Sequence, residues 1–309
     1  MKPMNLTQKL RIFPTPEQED VLWTLSEKCR LIYNFALAER RDAYRTGIKG
    51  VTYRTQQNDL PRIKEQFPEY RWVYSKVLQY VLRTLAADYA SFFALRKHGH
   101  ADARPPRFKG KQYFTTMVYN QSGFKLERGT ITFSHNYNDV PLKFALPEQF
   151  SFDDKMVKQV AISATPHKHT KKKTRYCVAI TYEWEEPPYV DNGLYQAIDL
   201  GITNIVTAVN SQGKFLKVKN RRPDKYWNPK IAKLQSRRDR CRKFSNRWQL
   251  LNRIKRTYER KRDNQTRDFQ HKLSKKLVEN TRANTIIVGA LNVKSMAHSN
   301  TVPKPMKKG

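Results

Sequence analysis

Apolar side chains change their spacing along this 309-residue chain, and each change limits what the adjoining stretch can form. Val21, Leu22, Leu25, Cys29, Ile32, Tyr33 and Ala36 recur three and four residues apart, the period of a helix with one buried face. Thr15-Pro16-Glu17-Gln18 reads as its start. Thr15 caps, Pro16 suits the first helical position, and Gln18 stands where the reciprocal capping-box residue belongs. The spacing predicts a helix of roughly 25 to 30 residues ending by Gly47. Before it, Leu6, Gln8, Leu10 and Ile12 alternate as in a half-buried strand. A second helix is predicted from near Trp72 to about Arg96, with Val77, Leu78, Val81, Leu82, Leu85, Tyr89 and Phe92 as its stripe. Lys76, Gln79, Tyr80 and Arg83 fall largely off that stripe. Such side chains can read base edges in a groove, and equally make an ordinary solvated face.

Beyond Gly110 the period shortens to two, over 130–133, 142–146, 157–164 and 176–184. Prolines and Asn/Asp/Gly turns separate these runs, the pattern of a small antiparallel barrel. Lys168, Lys171, Lys172, Lys173 and Arg175 crowd one hairpin tip, either a solvated loop or a phosphate contact. After Glu185-Glu-Pro-Pro188 the segment 194–200 reads as a strand ending in Asp199. Gly201 allows a tight turn, and 202–209 and 215–218 continue as strands. Residues 217–282 hold 24 Lys and Arg against 6 Asp and Glu, while Ile231, Leu234, Cys241, Phe244, Trp248, Leu251, Ile254 and Tyr258 keep a helical stripe. Two long helices hinging near 244–246 are predicted, with Ser245 or Asn246 capping the second and the apolar seam forming core. A last apolar strand is predicted over 285–296.

Sixty Lys and Arg against 27 Asp and Glu leave a formal charge of +33, a field that favours polyanions. A polyphosphate partner would release counterions on binding, giving salt-sensitive affinity. With 12% aromatic residues among the basic ones, base stacking fits better than lipid headgroups; a ribosome-type RNA binder and a membrane-surface protein are the plainer alternatives. No run of about 18 or more apolar residues is present to span a bilayer. The N-terminus lacks an uninterrupted apolar h-region, so a cytoplasmic location and no membrane partner are expected. Cys29, Cys177 and Cys241 form no Cys-x-x-Cys pair, which argues against a disulfide framework and against zinc. His98 with His100, and His167 with His169, lack a third ligand nearby, so no metal is expected at either.

Six segments in order, Arg11-Ile-Phe-Pro-Thr-Pro-Glu-Gln, Cys29-Arg-Leu-Ile-Tyr-Asn-Phe-Ala-Leu-Ala-Glu-Arg40, Pro106-Arg-Phe-Lys109, Gly123-Phe-Lys-Leu126, Ile198-Asp-Leu-Gly-Ile202 and Leu291-Asn-Val-Lys-Ser-Met296, resemble TnpB, the transposon-encoded RNA-guided DNA nuclease related to type V CRISPR effectors. The resemblance implies an α+β multidomain fold: a wedge β-barrel (1–14 and 103–190), an inserted helical recognition lobe (15–102), and a truncated RNase H-like (RuvC) domain (191–309) with a long basic helical hairpin at about 226–282.

The chain departs from the family pattern at one informative place. Where TnpB carries Glu-Asp-Leu-Asn after its last apolar strand, with the Glu as second catalytic acid, this chain has Gly289-Ala290-Leu291-Asn292. The third acid and the zinc ribbon would lie beyond Gly309. Hydrolysis at such a site uses two divalent ions held by carboxylates, and Asp199 alone is a poor holder of Mg²⁺. The expectation is therefore no enzyme, no zinc, no catalytic Mg²⁺, and a likeness to the nuclease-dead TnpB-derived repressors called TldR. By that likeness the protein binds a guide RNA, recognises a short motif in double-stranded target DNA, forms an R-loop and blocks RNA polymerase. It would do so as a monomer per guide, in the bacterial cytoplasm on the nucleoid. A residual metal-dependent RNA-guided endonuclease and an inert RNA-binding transposon remnant are the alternatives. The family layout points to Tyr53, Gln56, Lys76, Gln79 and Thr116 for the motif in DNA. For the guide RNA and heteroduplex it points to Arg104, Arg107, Lys109, Arg237, Arg238, Arg242, Lys243 and Arg247.

Overall fold

The expected helix start is in place, and it ties a helix to a sheet. In the computed structural model, which describes residues 4–48, 50–120, 122–148, 152, 156–165 and 174–289, strand β1 (Met4–Ile12) runs into helix α1 (Pro16–Thr46). The Thr15 hydroxyl accepts the Gln18 N–H at 3.3 Å and the Gln18 side-chain oxygen accepts the Thr15 N–H at 3.1 Å. The same Gln18 amide donates to the Pro141 and Lys143 carbonyls at 2.9 and 3.3 Å, so the cap also anchors a strand far away in sequence. Gly47 closes α1 in the left-handed region at φ 71°, a conformation glycine adopts without a Cβ penalty.

Two short helices, α2 (Tyr53–Asn58) and α3 (Leu60–Gln66), and a 3-10 turn (Pro68–Trp72) precede α4 (Ser75–Lys97). The helix predicted from Trp72 begins three residues later, because buried Val73 is extended and bridges antiparallel to His135. Strands follow as β2 (Met117–Asn120), β3 (Phe124–Glu127), β4 (Thr130–Phe133), β5 (Leu142–Ala145), β6 (Val157–Thr165) and β7 (Arg175–Trp184). They form two open antiparallel sheets, β1-β7-β6-β2 and β3-β4-β5. A barrel is expected here from the sequence; among the described strands, hydrogen bonding does not join β1 and β2 into a ring.

Register explains why these sheets share one core with the helices. Leu10 faces Val178, Ile12 faces Tyr176, and Ile162 faces Val178, so the buried residues of three strands lie in one cross-sheet patch. Val21, Leu22, Leu25, Cys29 and Ile32 of α1 and Val77, Leu78, Val81, Leu82 and Leu85 of α4 belong to the same cluster. Each such fully buried aliphatic side chain contributes about 1.5–3 kcal/mol. The helices of residues 15–102 thus share a hydrophobic cluster with the strands, within the first of two compact units, Met1–Glu186 and Pro187–Gly309. Leu6, expected half-buried, is 37% exposed, and Tyr89 and Phe92 are only partly covered near the end of α4.

The second unit is built on β8 (Tyr195–Asp199), β9 (Asn204–Asn210) and β10 (Phe215–Lys219), antiparallel in sequence, then α5 (Pro223–Asp239), α6 (Asn246–Asn280) and β11 (Thr285–Val288). The sheet order is β10-β9-β8-β11, with β11 parallel to β8. A parallel neighbour needs a long crossover, and α5 with α6 supplies it. Leu273 and Leu277 of α6 pack with Ile286 against the buried Ile198, Val206 and Ala208. The strand predicted over 285–296 is described only to Val288; Leu291–Met296 and the lysines at 168 and 171–173 lie outside the described residues.

Candidate nucleic-acid interface

Basic residues in the first unit divide into those the fold uses and those it leaves exposed. Arg30 donates to the Lys109 carbonyl at 2.9 Å, Asn34 clasps the Lys109 backbone by N–H and carbonyl at 2.9 Å each, and Arg41 donates to the Pro106 carbonyl at 2.7 Å. These bonds strap the segment around residues 106–109 along α1. Lys109, expected on the guide, has its ammonium 3.6 Å from the Tyr33 ring centre, while Tyr33 donates to Asp88 at 2.9 Å. Burial pushes the Lys109 ammonium below the usual lysine range, with Asp88 opposing. Its position is that of a strut between α1 and the strap. Arg104 and Arg107 on the same strap are exposed.

The residues expected to read DNA separate in the same way. Lys76 is exposed and Gln79 half-buried, three residues apart on the side of α4 away from the buried stripe; Thr116 is exposed. Tyr53 is half-buried against the core. Gln56 is 4% exposed and turned inward. Its amide donates to the Ala36 carbonyl at 2.9 Å and to Glu39 at 2.6 Å and accepts from Arg40 at 2.9 Å, so in the folded chain it joins α2 to α1.

In the second unit, Asp199 is exposed at the end of β8, and register decides what stands beside it. Val288 pairs with Ile198, the last pair of the parallel strands, and Asp199 and Gly289 are the next residue on each. A Cβ built at Gly289 meets nothing within 4 Å. Among the described residues no three His, Cys, Asp or Glu gather as a metal-binding group. Elsewhere in the chain, Glu183 pairs with Lys158 at 2.9 Å and Asp263 with Arg262 at 2.9 Å. A cleft of about 520 Å³ lined by Asp224 and Asp263 is likewise no acid site, because Arg222 grips Asp224 at 2.8 Å. The described donors around Asp199 do not by themselves fit a pair of divalent ions.

The stretch that spans the helical hairpin, residues 217–282, holds 24 Lys and Arg against 6 Asp and Glu. All six acids of residues 217–282 pair with a cation within four residues, at 2.6 to 3.5 Å. That leaves most of the 24 Lys and Arg without an acid in the segment to neutralise them. Arg237, Arg242, Lys243 and Arg247 are exposed at or beside the hairpin turn. Arg238 is half-buried, bonded to Asn252 at 3.1 Å and to Asp239, with its guanidinium 5.6 Å from the Trp248 ring centre. It holds the turn together. Ser245 caps α6, its hydroxyl accepting the Trp248 N–H at 3.2 Å. Phe244, read as core, is 67% exposed, since the turn lifts it off the seam that Ile231 and Leu251 bury. Tyr226 on α5, unremarked in the sequence, is 58% exposed with the Lys230 ammonium 3.5 Å from its ring centre.

Comparison with known proteins shows what a chain with this order of elements and so basic a hairpin is similar to. A family model described as "Probable transposase" (OrfB_IS605) matches residues 177–300, and one described as "Helix-turn-helix domain" (HTH_OrfB_IS605) matches residues 1–49. Within the latter the described chain is a strand and one unbroken helix. A "Putative RNA-guided DNA endonuclease" of Streptomyces pristinaespiralis is 27% identical over 302 residues, covering 96% of this chain and 69% of the relative. The "Putative RNA-guided DNA endonuclease InsQ" of Escherichia coli K12 is 26% identical over 307 residues, with the same coverage of both. In fold, the chain is similar to Cas12f1 in its complex with sgRNA and target DNA: TM-score 0.54, 12% identity, 94% of this chain and 81% of that one.

The chain is thus similar to OrfB_IS605 proteins over residues 1–49 and 177–300, and its α+β fold is similar to that of Cas12f1. The expectation that it is no enzyme is corrected by these relatives. Relatives named as putative RNA-guided DNA endonucleases align over 96% of the chain, which points toward nucleases and away from a non-enzyme.

Proposed function

We propose that this protein is an RNA-guided DNA-targeting protein that binds a guide RNA, recognises a short motif beside its double-stranded target and holds the RNA–DNA heteroduplex of an R-loop. The observation that carries this reading is the hairpin α5–α6, whose exposed Arg237, Arg242, Lys243 and Arg247 form no ion pair among the described residues and suit a phosphate backbone. Arg104 and Arg107, exposed on the strap along α1, are the further guide contacts. Lys76, Gln79 and Thr116 are the motif-reading candidates, with Lys suited to guanine and Gln to adenine in a groove. Tyr53, half-buried against the core, is a further candidate. Base pairing to the guide would carry most of the sequence specificity. The second unit reads as an RNase H-like domain with Asp199 as its strand-end carboxylate, and an R-loop held over a promoter would obstruct RNA polymerase.

The test is to recover the protein from cells and sequence its bound RNA and DNA together. DNA peaks that match the bound RNA and adjoin one shared short motif are expected; bound RNA with no matching DNA would refute the proposal. Incubating the same ribonucleoprotein with matched plasmid and Mg²⁺ or Mn²⁺ reads scission separately, and a guide-dependent nick that Asp199→Ala abolishes would assign it to this unit.

A further inference from the structure

The hairpin turn holds a bulky aromatic residue in a backbone conformation that aromatic residues avoid. Phe244 has φ 67°, in the left-handed region; of the described non-glycine residues only Arg128 and Arg222 share a positive φ, and neither is apolar. Glycine or asparagine takes this conformation readily, whereas a Cβ crowds the following carbonyl. Burial does not offset the strain, because the ring is 67% exposed. The surroundings hold it nonetheless. Gln249 donates through Nε2 to the Phe244 carbonyl at 2.8 Å, the Ser245 N–H reaches the Arg242 carbonyl at 3.0 Å, and the ring rests against Trp248 with centres 5.4 Å apart. Cations surround it: the Lys243 ammonium lies 5.5 Å from the ring centre, and Arg242 and Arg247 are exposed on either side in sequence.

We propose that Phe244 is a stacking wedge that receives one unpaired base of the bound nucleic acid, with Arg242, Lys243 and Arg247 on the adjoining phosphates. A strained residue that its neighbours hold fast in a solvent-facing position is the mark of a working site more than of packing. An exposed aromatic ring flanked by cations is the pairing that single-stranded nucleotides select. The inference deepens the nucleic-acid reading given above and rests on it.

The test uses RNA–DNA hybrids with 2-aminopurine in a single-stranded overhang on either the RNA or the DNA strand, and a blunt hybrid as reference. Wild type is expected to quench the fluorophore on one strand and to bind that hybrid at least about fivefold more tightly than the blunt one. The quenched strand identifies the source of the base. Phe244→Gly should bind the blunt hybrid as wild type does, lose both quench and preference, and melt no lower than wild type because glycine relieves the backbone. Phe244→Tyr should keep both signals. Binding of all hybrids without quench, or an overhang preference that survives Phe244→Gly, overturns the wedge and leaves RNA–DNA binding intact. Failure of wild type to bind any hybrid removes the nucleic-acid reading and the wedge with it.

Discussion

Single side chains in the first unit show how polarity is spent inside a basic protein. Gln56 satisfies Ala36, Glu39 and Arg40 at once, while the Nη2 of Arg40 is buried without a hydrogen bond, so little slack remains there. Gln56→Ala leaves buried partners unpaired and is expected to destabilise the first unit by about 1–3 kcal/mol, measured by denaturant unfolding. A loss of that size with unaltered motif preference would mark Gln56 as structural. His135 gives a pH signature. Its Nδ1 accepts the Tyr137 N–H at 3.3 Å and its Nε2 donates to the Val140 carbonyl at 2.9 Å, which defines the neutral tautomer. Burial lowers its pKa, against the opposing Val140 hydrogen bond. The unfolded chain therefore binds the proton more readily, and stability should fall as pH drops through about 6.5 and level off below the depressed folded value. His135→Gln should flatten that part of a melting-temperature profile; an unchanged slope assigns it to other groups.

At the scale of elements, the start of α1 was fully legible because a capping box is local: Thr15, Pro16 and Gln18 lie within four residues. Its second duty was not legible, since Gln18 meets Pro141 and Lys143 only after the chain has folded. Thr15→Ala should cost about 1 kcal/mol, and Gln18→Ala more, as it removes the reciprocal cap and the tie to β5 together. Equal losses in unfolding experiments would show that the tie contributes nothing. The β8–β11 pair offers a different test. If the register continues one residue past Val288, Gly289→Glu sets a second carboxylate beside Asp199 with room to accept it. Calorimetric titration with Mn²⁺ should then show tighter binding than in the parent chain, and no gain would mean that the strand ends diverge. The short helices α2 and α3 escaped periodicity because six and seven residues are too few for a 3.6-residue period to repeat, and β2 because Met117, Val118 and Tyr119 are all buried and do not alternate.

For the molecule as a whole, the +33 charge predicts affinity that falls steeply with salt. Arg237→Gln should weaken binding about equally across target sequences and reduce the slope of log K against log salt by about one. An effect confined to one target base would give Arg237 a reading role in place of a positioning one. The sequence by itself determined the basic character, the helix and strand periods, the caps and the strand carrying Asp199, because each is set by neighbours within a turn or two of the chain. Only the tertiary structure decided that the expected barrel and lobe share one core, that Gln56 and Lys109 face inward, and that Phe244 faces outward. Those outcomes depend on which residues far apart in the chain come to lie against each other, and on whether a turn places a side chain on the packed seam or off it. A one-dimensional pattern of apolar and charged residues carries neither.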